Sequence, residues 1–130
     1  MIGLTYDRVE QAMKDAVPEV EEHYPGLISW HPDPGLYTLF DCVLRPVFTP
    51  ALDSGKDTSL LERIFDFFEE MARSSDVQVV NLLQVEVFER LVGEPNRFAV
   101  AWKYMGPETK KIAGNTARIW GREENLPQEE

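Results

Sequence analysis

The chain has a single cysteine, Cys42, two histidines, no closely spaced glycines and no long apolar run. One cysteine excludes an intramolecular disulfide and any cysteine-based metal cluster within one chain, and it points to a reducing compartment. No stretch approaches the roughly 20 apolar residues of a membrane span, and the opening MIGLTYDRVEQ lacks a basic start followed by an apolar run. The expectation is a cytoplasmic protein, neither exported by a standard signal nor embedded. The eight glycines are scattered, so no loop is built to cradle a phosphate.

Positive charge is also scarce: 13 Lys and Arg stand against 23 Asp and Glu, a net charge of −10 with a pI near 4.6. Such a chain repels phosphate backbones and anionic membrane surfaces, which argues against nucleic acid or membrane as partner and for a basic protein partner. The imbalance is uneven. Residues 1–55 carry nine acids against three bases, 56–93 eight against four, 94–122 two against six, and 123–130 four acids and no base. Arg97, Lys103, Lys110, Lys111, Arg118 and Arg122 form a basic island that can pair with the acidic helices of the same molecule.

What is present is a globular composition: 130 residues, 43% hydrophobic, with fourteen aromatics. That suffices for one core without staples. Tyr6, Val9, Met13, Val17, Val20 and Tyr24 recur at helical spacing, interrupted by Pro18, so a kinked helix or two short ones are expected. Residues 25–35, PGLISWHPDPG, read as an ordered loop. Leu36 to Leu44 read as a short buried helix followed by an irregular turn at Pro46 and Pro50, with a strand pair as the alternative.

Ser59 and Glu62 have capping-box spacing before a broad apolar face of Leu60, Leu61, Ile64, Phe65, Phe67, Phe68 and Met71, giving a helix over 59–73. Asp76 caps the next helix, ended by Gly93, and the short link makes the two a helical hairpin. Asn96 is the expected cap of a helix carrying Phe98, Ala101, Trp102 and Met105, and Gly106-Pro107 starts a last one. The expectation is an all-α bundle of about six helices over residues 1–122, its C-terminal helices stacked as solenoid-like hairpins, with a flexible acidic tail at 123–130.

No catalytic constellation emerges. Cys42 lies in an apolar run and reads as packed rather than reactive, and His23, His31, Asp33 and Glu22 lack metal-ligand spacing. The expectation is a binding protein with no catalytic residues, no metal and no cofactor. The sharpest contact candidates are Trp30 and Asp33 in the proline-rich segment and Asp66, Glu69 and Glu70 on the acidic face of the 59–73 helix. The aromatic would serve as an anchor and the carboxylates as pairs for Arg or Lys. Trp102 and Trp120 fit helical stripes and are expected in the core. The apolar surplus around Phe65, Phe67 and Phe68 also admits a self-assembling helical module with a dimer seam.

The segment LLERIFDFFEEMARSSDVQVVNLLQVEVFERL, followed by AWKYMGPETKKIA, resembles the C-terminal part of a family of small, uncharacterised bacterial proteins often found beside polymorphic toxin systems. The resemblance covers about residues 59–113. It carries no reaction and no catalytic residues. The association with toxin loci implies an immunity protein that neutralises a basic toxin through an acidic helical face.

Overall fold

The computed structural model describes residues 3–127, which are all-helical with no strand among them. A 3-10 turn, Tyr6–Arg8, leads into α1 (Val9–Ala16). Val17 then leaves helical geometry (φ −132°, ψ 71°), as a residue preceding a proline is pushed to do. Pro18 opens a 3-10 segment, Pro18–His23, that continues into α2 (Tyr24–Trp30). The interrupted N-terminal stripe is therefore two elements. The expected loop shrinks to residues 31–35, because Pro25 sits in the first turn of α2, where its missing N–H costs nothing.

A second correction concerns residues 36–54, which form one unbroken rod: α3 (Leu36–Leu39), a π turn (Phe40–Leu44) and α4 (Arg45–Ser54). The Arg45 N–H reaches five residues back to the Phe40 carbonyl. This widened turn falls just before Pro46, where a proline ring would otherwise press on the preceding turn. Pro46 and Pro50 both lie on the exposed side of the rod. Gly55 ends it in the left-handed conformation (φ 63°).

α5 (Thr58–Ala72) is capped by Asp57, whose carboxylate accepts from the Leu60 N–H at 3.2 Å, rather than by Ser59. α6 (Val77–Leu83) is capped by Asp76 as expected. The Asp76 carboxylate accepts from the Gln78 N–H at 3.0 Å and also from the Tyr6 N–H at 2.9 Å, tying the N-terminal segment to the hairpin turn. A second π turn, Gln84–Phe88, joins α6 to α7 (Glu89–Leu91). α8 (Pro95–Trp102) takes Glu94, not Asn96, at its N-cap, and α9 (Pro107–Ile119) starts after Gly106 as expected. Counting once each unbroken stretch that contains an α-helix, the described residues form seven helical rods, one more than the expected count of about six, the addition being α2 with its 3-10 lead.

One core unites them. α5 is its axis, packed by α1, α4, α6 and α9. That is why Leu60, Leu61, Ile64, Phe65, Phe67, Phe68 and Met71 are all buried: the apolar surplus of α5 faces four neighbours of its own chain. Phe48, Phe65 and Phe68 meet edge-on with ring centroids 5.3 to 5.6 Å apart. Trp102 is half-buried, edge-on to Phe98 at 5.8 Å. Trp120 departs from expectation: it lies just past the end of α9 and is 56% exposed. The described part of the acidic tail, to Pro127, turns back in a 3-10 segment, Glu123–Asn125, and the Asn125 amide donates to the Val92 carbonyl at 2.8 Å.

Candidate functional site

Packing α1 against α5 assembles the acidic surface. Arg63 reaches from α5 across the end of α1, donating to the Ala16 carbonyl at 3.1 Å and to both Glu19 oxygens at 3.0 and 2.6 Å. Its hydrogen bonds hold the Glu19 carboxyl below the usual range. This clamp neutralises one end of the α1–α5 groove. Beyond it Asp15, Asp66 and Glu70 line the groove over a floor of Ala16 and Phe67. Asp66 and Glu70 are exposed, and among the described residues their carboxylates make no hydrogen bond or ion pair. Asp15 takes only the neutral Gln11 amide, at 2.8 Å.

The other three expected contacts do not join them. Trp30, at the end of α2, is 67% exposed and tilted against His31 at 5.5 Å; Asp33 is exposed in the following turn, and neither lines the groove. Glu69 is used inside the fold. Its Oε1 accepts from the Thr109 N–H at 2.9 Å and hydroxyl at 2.7 Å, and its Oε2 from the Glu108 N–H at 3.1 Å. A carboxylate of α5 thus caps the N-terminus of α9, where the helix dipole favours negative charge. Burial alone would raise its pKa, but these bonds and Arg73 outweigh it, and the carboxyl is held below its ordinary range.

Gly106 makes room for this cap. A Cβ there would come within 2.5 Å of the Glu69 carboxylate, although φ −77° and ψ 176° suit any residue. Gly106→Ala is therefore expected to lose about 1–2 kcal/mol by displacing the cap. In a Glu69→Ala background the same change should cost nothing or stabilise, and urea unfolding of the four proteins in a double-mutant cycle checks it.

A second charged cluster, which spacing alone did not reveal, joins Asp41 and Arg45 of the 36–54 rod to Glu86 and Arg90 of the 77–91 rod. Arg45 pairs with Asp41, Arg90 lies 3.5 Å from Asp41, and Glu86 Oε1 lies 3.6 Å from both Arg45 and Arg90. Arg45 Nη2 and Glu86 Oε1 are buried without a hydrogen-bond partner among the described residues. Burial first, then Asp41 and Glu89, pushes the Glu86 carboxyl up. Cys42 is half-buried beside them, and burial together with Asp41 and Glu86 raises its thiol pKa, the opposite of an activated nucleophile.

The basic island is spent partly inside the molecule: Arg97 holds Asp53 at 2.7 and 2.9 Å and also pairs with Glu94, and Lys111 holds Glu108 at 3.0 Å. His23 lies beside Glu22 at 3.4 Å, and no three His, Cys, Asp or Glu side chains converge as metal ligands among the described residues. No described helix is long and apolar enough to cross a membrane.

Fold and surface together define a small helical domain organised around one buried helix, with an open acidic groove on one side and a paired-charge cluster on another. The chain belongs to the family defined by a domain of unknown function (DUF7674), whose model matches residues 10–121. The match takes in most of the first half as well as the 59–113 segment that carried the resemblance. No curated protein and no solved structure matches the chain.

Proposed function

We propose that this chain is a protein-binding domain that captures a basic partner in the α1–α5 groove, acting as an immunity protein toward a toxin encoded beside it. The observation that carries this reading is the grouping of Asp15, Asp66 and Glu70 in one open groove, with Asp66 and Glu70 unpaired among the described residues while Arg63 is locked onto Glu19. Three carboxylates over an apolar floor suit Arg or Lys side chains, whose stems pack while their heads pair. The net charge of −10 adds long-range attraction for a basic surface. Trp30, exposed at the end of α2 and outside the groove, supplies an aromatic anchor.

The test is binding of the purified chain to the products of its neighbouring genes at low and high salt. Asp66→Lys combined with Glu70→Lys leaves the fold intact, since both side chains are exposed. It is expected to weaken a cognate complex at least about tenfold and to flatten its salt dependence. Absence of binding by every neighbouring product, or a complex indifferent to both charge reversal and salt, would end the proposal.

A further inference from the structure

The groove that holds Asp15, Asp66 and Glu70 does not stop at them. The Ala16 carbonyl, at the end of α1, accepts from Arg63 in the first half of α5, and the Leu4 carbonyl, ahead of α1, accepts from the Ser74 hydroxyl just past α5. The two helices therefore run antiparallel, and the trough between them continues beyond Asp15 and Glu70 to Gln11, Arg8 and Leu4. Its lining positions are 8, 11, 12, 15 and 16 on one side and 63, 66, 67 and 70 on the other. Both sets follow helical spacing, so each wall is one stripe of one helix.

The floor of the trough sets the form of what fits it. Leu4, Ala12, Ala16 and Phe67 are apolar, and the two alanines let another backbone come close. The backbone groups of α1 and α5 are spent within their own helices. An extended segment would lay unpaired N–H and C=O groups on this floor, whereas a helix pairs its own. The charge order sets the rest. From the Arg63–Glu19 clamp the trough runs through Asp66, Glu70 and Asp15 to the neutral Gln11 and then to Arg8. Arg8 is exposed and makes no hydrogen bond or ion pair among the described residues, and its neighbour Asp7 accepts from the Thr5 hydroxyl at 2.6 Å. Arg8 and Asp15 are two turns apart, about 10 Å along the helix.

We infer that the occupant of this trough is an amphipathic helix of a partner protein, laid along α1 and α5 with Lys or Arg over Asp15, Asp66 and Glu70 and with a carboxylate two turns away over Arg8. The inference rests on the groove being the binding surface and adds the form and charge order of what it takes. Apolar side chains of the helix pack on Ala12, Ala16 and Phe67 while its charged edges meet the walls. A purely basic helix would satisfy the carboxylates but set a like charge on Arg8. A helix with an acid at that end pairs along the whole trough, which fixes its register as well as its affinity.

The experiment is a fluorescence anisotropy titration of the full chain into two labelled, alanine-rich helical peptides of about 15 residues. Each carries leucines along one face and two lysines one turn apart beside them; two turns further on, one peptide has Glu and the other Gln. The chain's net charge of −10 by itself favours the Gln peptide, which is the more positive. The trough is expected to reverse that order, the Glu peptide binding about threefold tighter, as one exposed ion pair allows. Arg8→Ala should leave the thermal midpoint unchanged and restore the order that net charge dictates, and Asp66→Lys with Glu70→Lys should weaken both peptides at least about tenfold. A Gln peptide that binds as tightly as the Glu peptide, or a preference for Glu that survives in Arg8→Ala, overturns the inference and leaves capture of a basic partner standing. No binding of either peptide at about 1 mM overturns the helical occupant. Failure of every neighbouring gene product to bind, with both peptides behaving as expected, removes the immunity reading and supports this one.

Discussion

Phe68→Ala is expected to destabilise the fold by about 3–5 kcal/mol, a large part of the roughly 5–15 kcal/mol that holds a domain of this size together. Phe68 is fully buried in α5 and touches Phe48, Phe65 and Phe67 at centroid distances of 5.4, 5.3 and 6.0 Å. Truncation removes edge-to-face contacts along with buried area. It also opens a cavity bounded by helices that hold one another in place, so little collapse can offset it. The thermal midpoint should fall by about 10–20 °C. Phe68→Leu should lose well under half as much. A loss below about 1 kcal/mol for the alanine variant, measured by urea unfolding, would mean that α5 is not the enclosed axis described here.

Glu69→Ala is expected to cost about 2–4 kcal/mol despite lying on the nominally polar side of α5. The change strands the Thr109 N–H and hydroxyl, fully buried, together with the Glu108 N–H, and removes a negative charge from the start of α9. Glu69→Gln should lose roughly half: its remaining oxygen can serve Thr109, but its NH₂ then faces the Glu108 N–H. The acid response separates this role from simple packing. The folded-state carboxyl titrates below its ordinary value of 4.5, so its contribution is complete above that pH and is lost as pH falls through the lower folded value. Stability of the native chain should therefore drop between about pH 5 and 3 more steeply than that of Glu69→Gln. Parallel curves for the two would place the loss elsewhere.

The sequence carried the helical class and the cores of α1, α5, α6 and α9, because their apolar spacing is local and strong. It hid α2 and the continuation of the 36–44 helix through Arg45–Ser54, because a proline ordinarily breaks a helix. Pro25 sits at a first turn, Pro46 follows a widened turn, and Pro50 faces solvent, all positions that tolerate proline. The candidate site was legible in part. Asp66 and Glu70 are four apart on one helix and so emerge on one face, whereas Asp15 joins them only through α1–α5 packing. Glu69 looked equally free, and its true partners, Glu108 and Thr109, are 39 and 40 residues away. Arg45 and Glu86 likewise come from separate rods, and no spacing rule brings them together.

The central position of α5 bears on how the chain reaches this structure. Helices earlier and later in the sequence share in covering it, and α9 covers one side and receives the Glu69 cap. Until residues beyond Pro107 are made, that side of α5 has no cover, and the nascent chain must carry an oily helix with one flank open. The core around α5 is accordingly closed only once α9 is in place, because α1, α4, α6 and α9 all pack on that one helix.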